Sequence, residues 1–154
     1  MTETERIEDQ LRRAFEGGAW HGPSLQEVLA GVTAERAAAR PINDAHSIWE
    51  IVLHLAAWDA VVRRRLEGER VATPTEVDWP PPTDTSEAAW SKTLEQLKTN
   101  HAELRRAVSR LDDSRLDDIL PGVNQQWPVY ITIHGSIQHY LYHAGQIALL
   151  KKQG

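Results

Sequence analysis

Residues 68–85, GERVATPTEVDWPPPTDT, hold four prolines and separate two long stretches of helical period. Proline has no N–H to donate and clashes with the carbonyl one turn back, so no helix runs through the centre of this segment. A connection of this length need not fold straight back as a tight hairpin would, and helical bundles use such crossovers to join helices that run parallel. The segment therefore predicts a bundle with a long crossover. Long loops also serve as lids, which is the second expectation for this stretch.

On its N-terminal side, from about Asp44 to Glu67, residues Ile48, Ile51, Val52, Leu55, Trp58, Val62 and Leu66 form an apolar stripe, and Arg63, Arg64 and Arg65 stand where a helix C-terminus favours cations. On its C-terminal side Thr85 or Ser86 caps a helix whose stripe is Trp90, Leu94, Leu97, His101, Leu104, Val108 and Leu111. A first helix over residues 3–16 places Ile7, Leu11, Ala14 and Phe15 near one side and is stopped by Gly17 and Gly18. After Pro23, the pair Ser24 and Glu27 matches a capping box, which predicts a short helix from Leu25 to Gly31, resuming through Ala34 to Ala39. A second irregular stretch leads to the last helix, Val129 to Lys152, which ends on two lysines. No strand-period segment and no internal repeat stands out. The expected fold is all-α, one domain over residues 1–154, with four main helices, two long connections and a short helix after the first.

Composition removes several classes of function. There is no cysteine, which excludes disulfide frameworks, thiolate zinc sites and cysteine nucleophiles. The formal charge of -5 is spread with mixed signs and offers no basic stripe for a nucleic-acid backbone. The N-terminus is charged and amphipathic, unlike a signal peptide, and no apolar run approaches the ~20 residues of a membrane span, so the expected location is the cytoplasm. Six tryptophans stand against one phenylalanine. Buried indoles need a partner for their N–H, so they either line a semi-polar cavity or fill the core.

The histidines carry the chemistry. In HYLYHAGQI, His139 and His143 are four residues apart, which on a helix means about 40° of rotation and about 6 Å of rise, close enough to reach one ion. Gln146 lies on the same face. His54 sits between Ile51, Trp58 and Val61 in an apolar segment where an unpartnered imidazole would be costly, so it asks either for a hydrogen bond or for a shared ligand. His46 stands about 12 Å from His54 along the axis, too far for two bonds of ~2 Å to one zinc, and is expected at the solvated start of the helix. His134 points about 140° away from His139. His101, on an apolar stripe, is either a group behind the site or a satisfied core residue, and His21 lies in a loop. Glu50, one turn from His54, is the nearest carboxylate in sequence and is the candidate to orient that histidine or act as a base. Tyr140 occupies the place of the glutamate in an HExxH motif, which removes the metalloprotease mechanism, and there is no phosphate loop or nucleophile elbow.

With WHGPSL, SIWEIVLHLAAW and IHGSIQHYLYHAGQIALLKK taken together, the chain resembles the DinB-like (DinB/YfiT) superfamily of metal-binding four-helix proteins over most of its length. The resemblance implies an up-down-down-up bundle, a homodimer, and a nickel or zinc ion held by His54, His139 and His143. Some relatives transfer low-molecular-weight thiols and others are described as metal-dependent hydrolases, so the expected activity is one of these on a small-molecule substrate. The other expectation is a non-catalytic, metal-stabilised dimeric bundle acting as an interaction module. Trp58, Gln146, His101 and Trp20 are the residues expected to back or line the site.

Overall fold

Among the described residues, five of six α-helices begin on a hydroxyl that satisfies a free backbone N–H, which fixes where each of the five starts. In the computed structural model, which describes residues 1–72, 78–121 and 126–153, α1 spans Glu3–Glu16 behind a capping box of Thr2 and Glu5. Helix α2 spans Leu25–Leu29 behind the box of Ser24 and Glu27, and α3 spans Ala34–Ala38 behind Thr33. Helix α4 spans Ile48–Leu66 behind Ser47 and Glu50, α5 spans Glu87–Ser109 behind Ser86, and α6 spans Val129–Leu150 behind Pro128, which supplies no side-chain bond. A 3-10 turn at Asp113–Arg115 follows α5.

Helix ends fall one or two residues short of expectation at Ala38, Leu66 and Leu150, and two other boundaries differ for a visible reason. Helix α4 begins at Ile48 instead of Asp44, because the reciprocal bonds of Ser47 and Glu50 set its first turn and Asp44 takes a left-handed conformation at φ 61°. Helix α2 stops at Leu29 because Gly31, at φ 75°, turns the chain out of helical geometry at little steric cost.

Side-chain pairs give the direction of each main helix. Thr4 meets Asp113, Glu8 meets Arg105 and Phe15 meets His101, so α1 and α5 are antiparallel. Trp49 meets Thr93, Ala56 meets Asn100 and Arg63 meets Glu103, so α4 and α5 are parallel. His54 meets His143 while Asp59 meets Tyr140, so α4 and α6 are antiparallel. The order is up-down-down-up, and the proline-rich crossover joins the two parallel neighbours. Its centre, residues 73–77, lies outside the described residues, as do 122–125 and 154, so the lid expectation has no description there.

The stripes read from sequence meet in one core. Ile48, Ile51, Val52, Leu55, Val62 and Leu66 of α4 are buried against Trp90, Leu97, Leu104 and Val108 of α5, Ile7, Leu11 and Phe15 of α1, and Ile133 and Ile147 of α6. Each such side chain contributes roughly 1.5–3 kcal/mol by leaving water. Trp49 and Trp90 are core fillers whose indole N–H groups find Thr93 Oγ1 at 3.2 Å and the Val32 carbonyl at 2.7 Å. Backbone bonds from Val129 to Asp118 and from Tyr130 to Leu116 tie the start of α6 to the preceding loop. The described residues contain no strand, only an isolated bridge between Ile119 and Pro128. No helix among them is long and apolar enough to cross a membrane.

Candidate metal centre

The i,i+4 spacing of His139 and His143 stacks two imidazoles on the α6 face that meets α4, and the antiparallel packing brings His54 opposite them. One ring nitrogen from each of the three lies within 4.8 Å of the others. His139 Nε2 stands 2.9 Å from His54 Nε2 and 3.0 Å from His143 Nε2. His54 and His143 are buried, and His139 is half-buried.

The outer ring nitrogens decide what the inner ones can do. His54 Nδ1 faces the backbone carbonyl of Asp78, which can only accept, so the proton sits on Nδ1. His143 Nδ1 meets Gln146 Oε1 at 2.7 Å and donates likewise. Both Nε2 atoms are then lone pairs aimed at His139, whose own Nε2 carries at most one proton and can donate to only one of them. Hydrogen bonding among the three rings cannot satisfy them all. A divalent ion accepting all three lone pairs does, and the two pairs that His139 makes already stand at the roughly 3 Å that nitrogens ~2.1 Å from one ion keep. The donor set fits a metal.

Burial favours the neutral form of each ring. Desolvation is the first cause in all three, and in His139, flanked by His143 and His54, it pushes the pKa down to about 3. His54 and His143 are lowered as well, against the opposing pull of Asp78 on the first and Gln146 on the second. Neutral imidazoles are the form that ligates.

Around the cluster stand aromatic walls. Trp58 lies edge-on to His54 and His139, and its indole N–H donates to Asp78 Oδ1 at 2.8 Å. Trp79 lies flat on His54 with centroids 3.8 Å apart, and His46 lies flat on Trp79's other face at 3.6 Å. Tyr142 is edge-on to His143.

Of the residues singled out in sequence, His54, His139, His143, Trp58 and Gln146 come together. Three do not. Glu50 is occupied at the start of α4, where it accepts from the Ser47 N–H at 2.8 Å and pairs with Arg40. The capping geometry turns it away from His54, and the carboxylate beside that ring is Asp78, 3.3 Å from Nδ1. His101 belongs to the core, stacked on Phe15 and bonded through Nδ1 to the Tyr140 hydroxyl at 3.0 Å, on another side of α6. Trp20 is 101 % exposed in the turn after α1 and lines nothing, because no apolar stripe extends to it. Asp78 and Trp79 went unseen because the crossover has no period to read. The one hint was an indole immediately before three stiffening prolines.

A family model described as the DinB superfamily matches residues 8–147. The crystal structure of a conserved protein from Enterococcus faecalis superposes with a TM-score of 0.71 at 18% identity, covering 99% of this chain and 97% of that one, a likeness of fold. No curated protein matches the chain.

Proposed function

The chain belongs to the DinB superfamily, and from that membership and the three converging imidazoles we propose that it is a metal-dependent enzyme acting on a small molecule. The transfer of a low-molecular-weight thiol to an electrophile is the favoured reaction and hydrolysis of a small substrate the second. The observation that carries the reading is the convergence of three Nε2 atoms, two of them with their outer nitrogens already committed as donors. His54, His139 and His143 would hold zinc or nickel, the two metals we propose for imidazole donors in this family.

An ion held by three protein ligands keeps an open position, where it lowers the pKa of a bound thiol or water. The chain supplies the rest. Trp58 and Trp79 wall the cluster around His54. Asp78 stands behind His54, its Oδ1 3.3 Å from the outer Nδ1, and holds that ring rather than touching the open position. In the thiol reaction the sulfur's electron pair forms the new C–S bond, the leaving group departs with its own pair, and the thiol proton passes to solvent. The family membership also makes a homodimer part of the proposal, which sedimentation velocity tests.

Metal analysis of protein purified without an affinity tag comes first, followed by a panel of low-molecular-weight thiols and electrophiles assayed for loss of free thiol. Bound zinc or nickel, and thiol loss abolished in His54→Ala, is the expected result. Absence of a bound divalent ion together with no binding heat on adding zinc or nickel sinks the reading.

A further inference from the structure

Helices α4 and α6 supply all three imidazoles, yet the groups on the outer nitrogen and on one flat face of the His54 ring come from neither helix. That ring is held on its Nδ1 edge and on one face by two consecutive residues of the crossover. The Asp78 carbonyl accepts from Nδ1, and the Trp79 indole covers the face at 3.8 Å with an interplanar angle of 5°. The clamp is itself braced on two sides. Trp58 Nε1–H donates to the Asp78 carboxylate at 2.8 Å, and His46 lies parallel to the outer face of Trp79 at 3.6 Å and 2°. The result is a three-layer stack of imidazole, indole and imidazole running from solvent to the cluster.

We propose that Asp78 and Trp79 are positioning residues for the metal centre, holding His54 with its Nε2 lone pair turned to His139 and His143, and that His46 backs them from outside. The inference rests on the metal-binding reading above. A ligand imidazole whose outer nitrogen and ring plane are fixed loses little freedom on coordination, and removing the groups that fix it typically weakens a site 10–100-fold without touching a ligand. Asp78 and Trp79 thereby become part of the site without being ligands. His143 has its own brace in Gln146 on the same helix, one turn away, whereas the brace of the α4 ligand comes from chain remote in sequence.

The test is metal affinity and the cobalt(II) absorption spectrum of the full chain, stripped with a chelator and titrated with cobalt(II) and zinc(II). Trp79→Ala is expected to weaken both metals at least ~10-fold and to move the cobalt ligand-field bands toward those of His54→Ala. Trp79→Phe keeps a flat ring on His54 and should recover most of the loss. His46→Ala should show a smaller effect in the same direction. Should Trp79→Ala fail to fold, Trp79→Leu carries the test, since it removes the flat ring from His54 and keeps apolar bulk. Asp78→Ala keeps the carbonyl that accepts from His54 Nδ1 and removes only the carboxylate that Trp58 braces, so with His46→Ala it should show the smaller effect. If these variants bind cobalt(II) within about twofold of the parent with unchanged bands, the positioning role is wrong while the metal site stands. If the parent itself binds neither metal, the reading beneath the inference is wrong.

Discussion

Two imidazole clusters pack against different sides of α6, and their comparison separates burial from function. His139, in the triad with His54 and His143, and His101, in a chain with Tyr140 and Asp59, are both pushed down to a pKa of about 3, with desolvation first among the causes. By titration alone they are the same residue. Their partners differ. Around His139 the nearest polar atoms are two more Nε2 lone pairs, which hydrogen bonds cannot all satisfy. Around His101 the Tyr140 hydroxyl sits 3.0 Å from Nδ1 and donates to Asp59 Oδ1 at 2.7 Å, and Phe15 fills the ring face. The first arrangement asks for an ion. The second is a core network with two loose ends, His101 Nε2 and Asp59 Oδ2, which have no hydrogen-bond partner among the described residues. A shifted pKa locates desolvation, and only the direction of the lone pairs says whether a ligand is wanted.

The largest effect expected on the core side is a pH dependence written by Asp59. Burial raises its pKa from 3.8 to about 8, with the Tyr140 hydrogen bond opposing. Between those values the folded chain keeps a proton that the unfolded chain has released, so stability is lost as pH rises from about 4 toward 8. At 1.36 kcal/mol per unit, the loss by pH 7 is on the order of 4 kcal/mol. Asp59→Asn removes that slope. His101 works in the opposite sense, since its lowered folded pKa costs stability as pH falls below about 6.5, but it is present in both proteins and cancels in the difference. Denaturant unfolding of the two proteins at several pH values, stripped of metal, checks this, and parallel profiles would refute it.

On the metal side, His54→Ala should lower zinc affinity at least ~100-fold, about 3 kcal/mol, by titration calorimetry. Zinc at 100 times the parent's Kd should stabilise the parent by about 2.7 kcal/mol and the variant hardly at all. Equal zinc stabilisation of both proteins would erase the contrast between the clusters.

The same contrast explains what sequence reveals. The bundle was legible because its cores follow a helical period and its start signals are local: Ser24 with Glu27 reads as a capping box before any coordinate is known, and four prolines announce a crossover. His139 and His143 were legible for the same reason, being one turn apart on one helix. His54 was legible as a misfit among apolar neighbours. What periodicity cannot carry is a partner from an aperiodic segment, so Asp78 and Trp79 were missed and Glu50 stood in their place. Ser47 and Glu50 repeat the capping pattern of Ser24 and Glu27, and reading it there would have shown both where α4 begins and how Glu50 is spent. The stripe placed His101 in the core without telling which polar group it would find. Trp20 was misplaced because an aromatic beside a plausible motif carries no direction.

Tyr140→Phe tests whether the two clusters are independent, since Tyr140 directly follows a proposed ligand. Removing the hydroxyl leaves His101 Nδ1 and Asp59 Oδ1 unpaired in a buried setting and should cost about 2 kcal/mol in denaturant unfolding. Zinc affinity should stay within about twofold, because the ring and the helix backbone beneath His139 are unchanged. A large loss of affinity would mean that the core network helps to aim the ligand.

The smallest effect belongs to Gln146→Ala. Its Oε1 accepts from His143 Nδ1 at 2.7 Å, holding the proton on the outer nitrogen and the lone pair on the inner one. Alanine frees that ring to turn and to move its proton, for an expected loss of about tenfold in zinc affinity, near 1.4 kcal/mol. Gln146→Glu restores an acceptor and a stronger one, so it should recover the parent's affinity or exceed it, since a carboxylate behind a ligating imidazole raises its basicity. Because His143 and Gln146 are one turn apart on a continuous helix, the loss should appear with the unfolding free energy of the metal-free protein unchanged within ~0.5 kcal/mol. Alanine and glutamate variants with the same zinc affinity as the parent would show that His143 is aimed by the helix alone, in contrast to His54 with Asp78 and Trp79 against it.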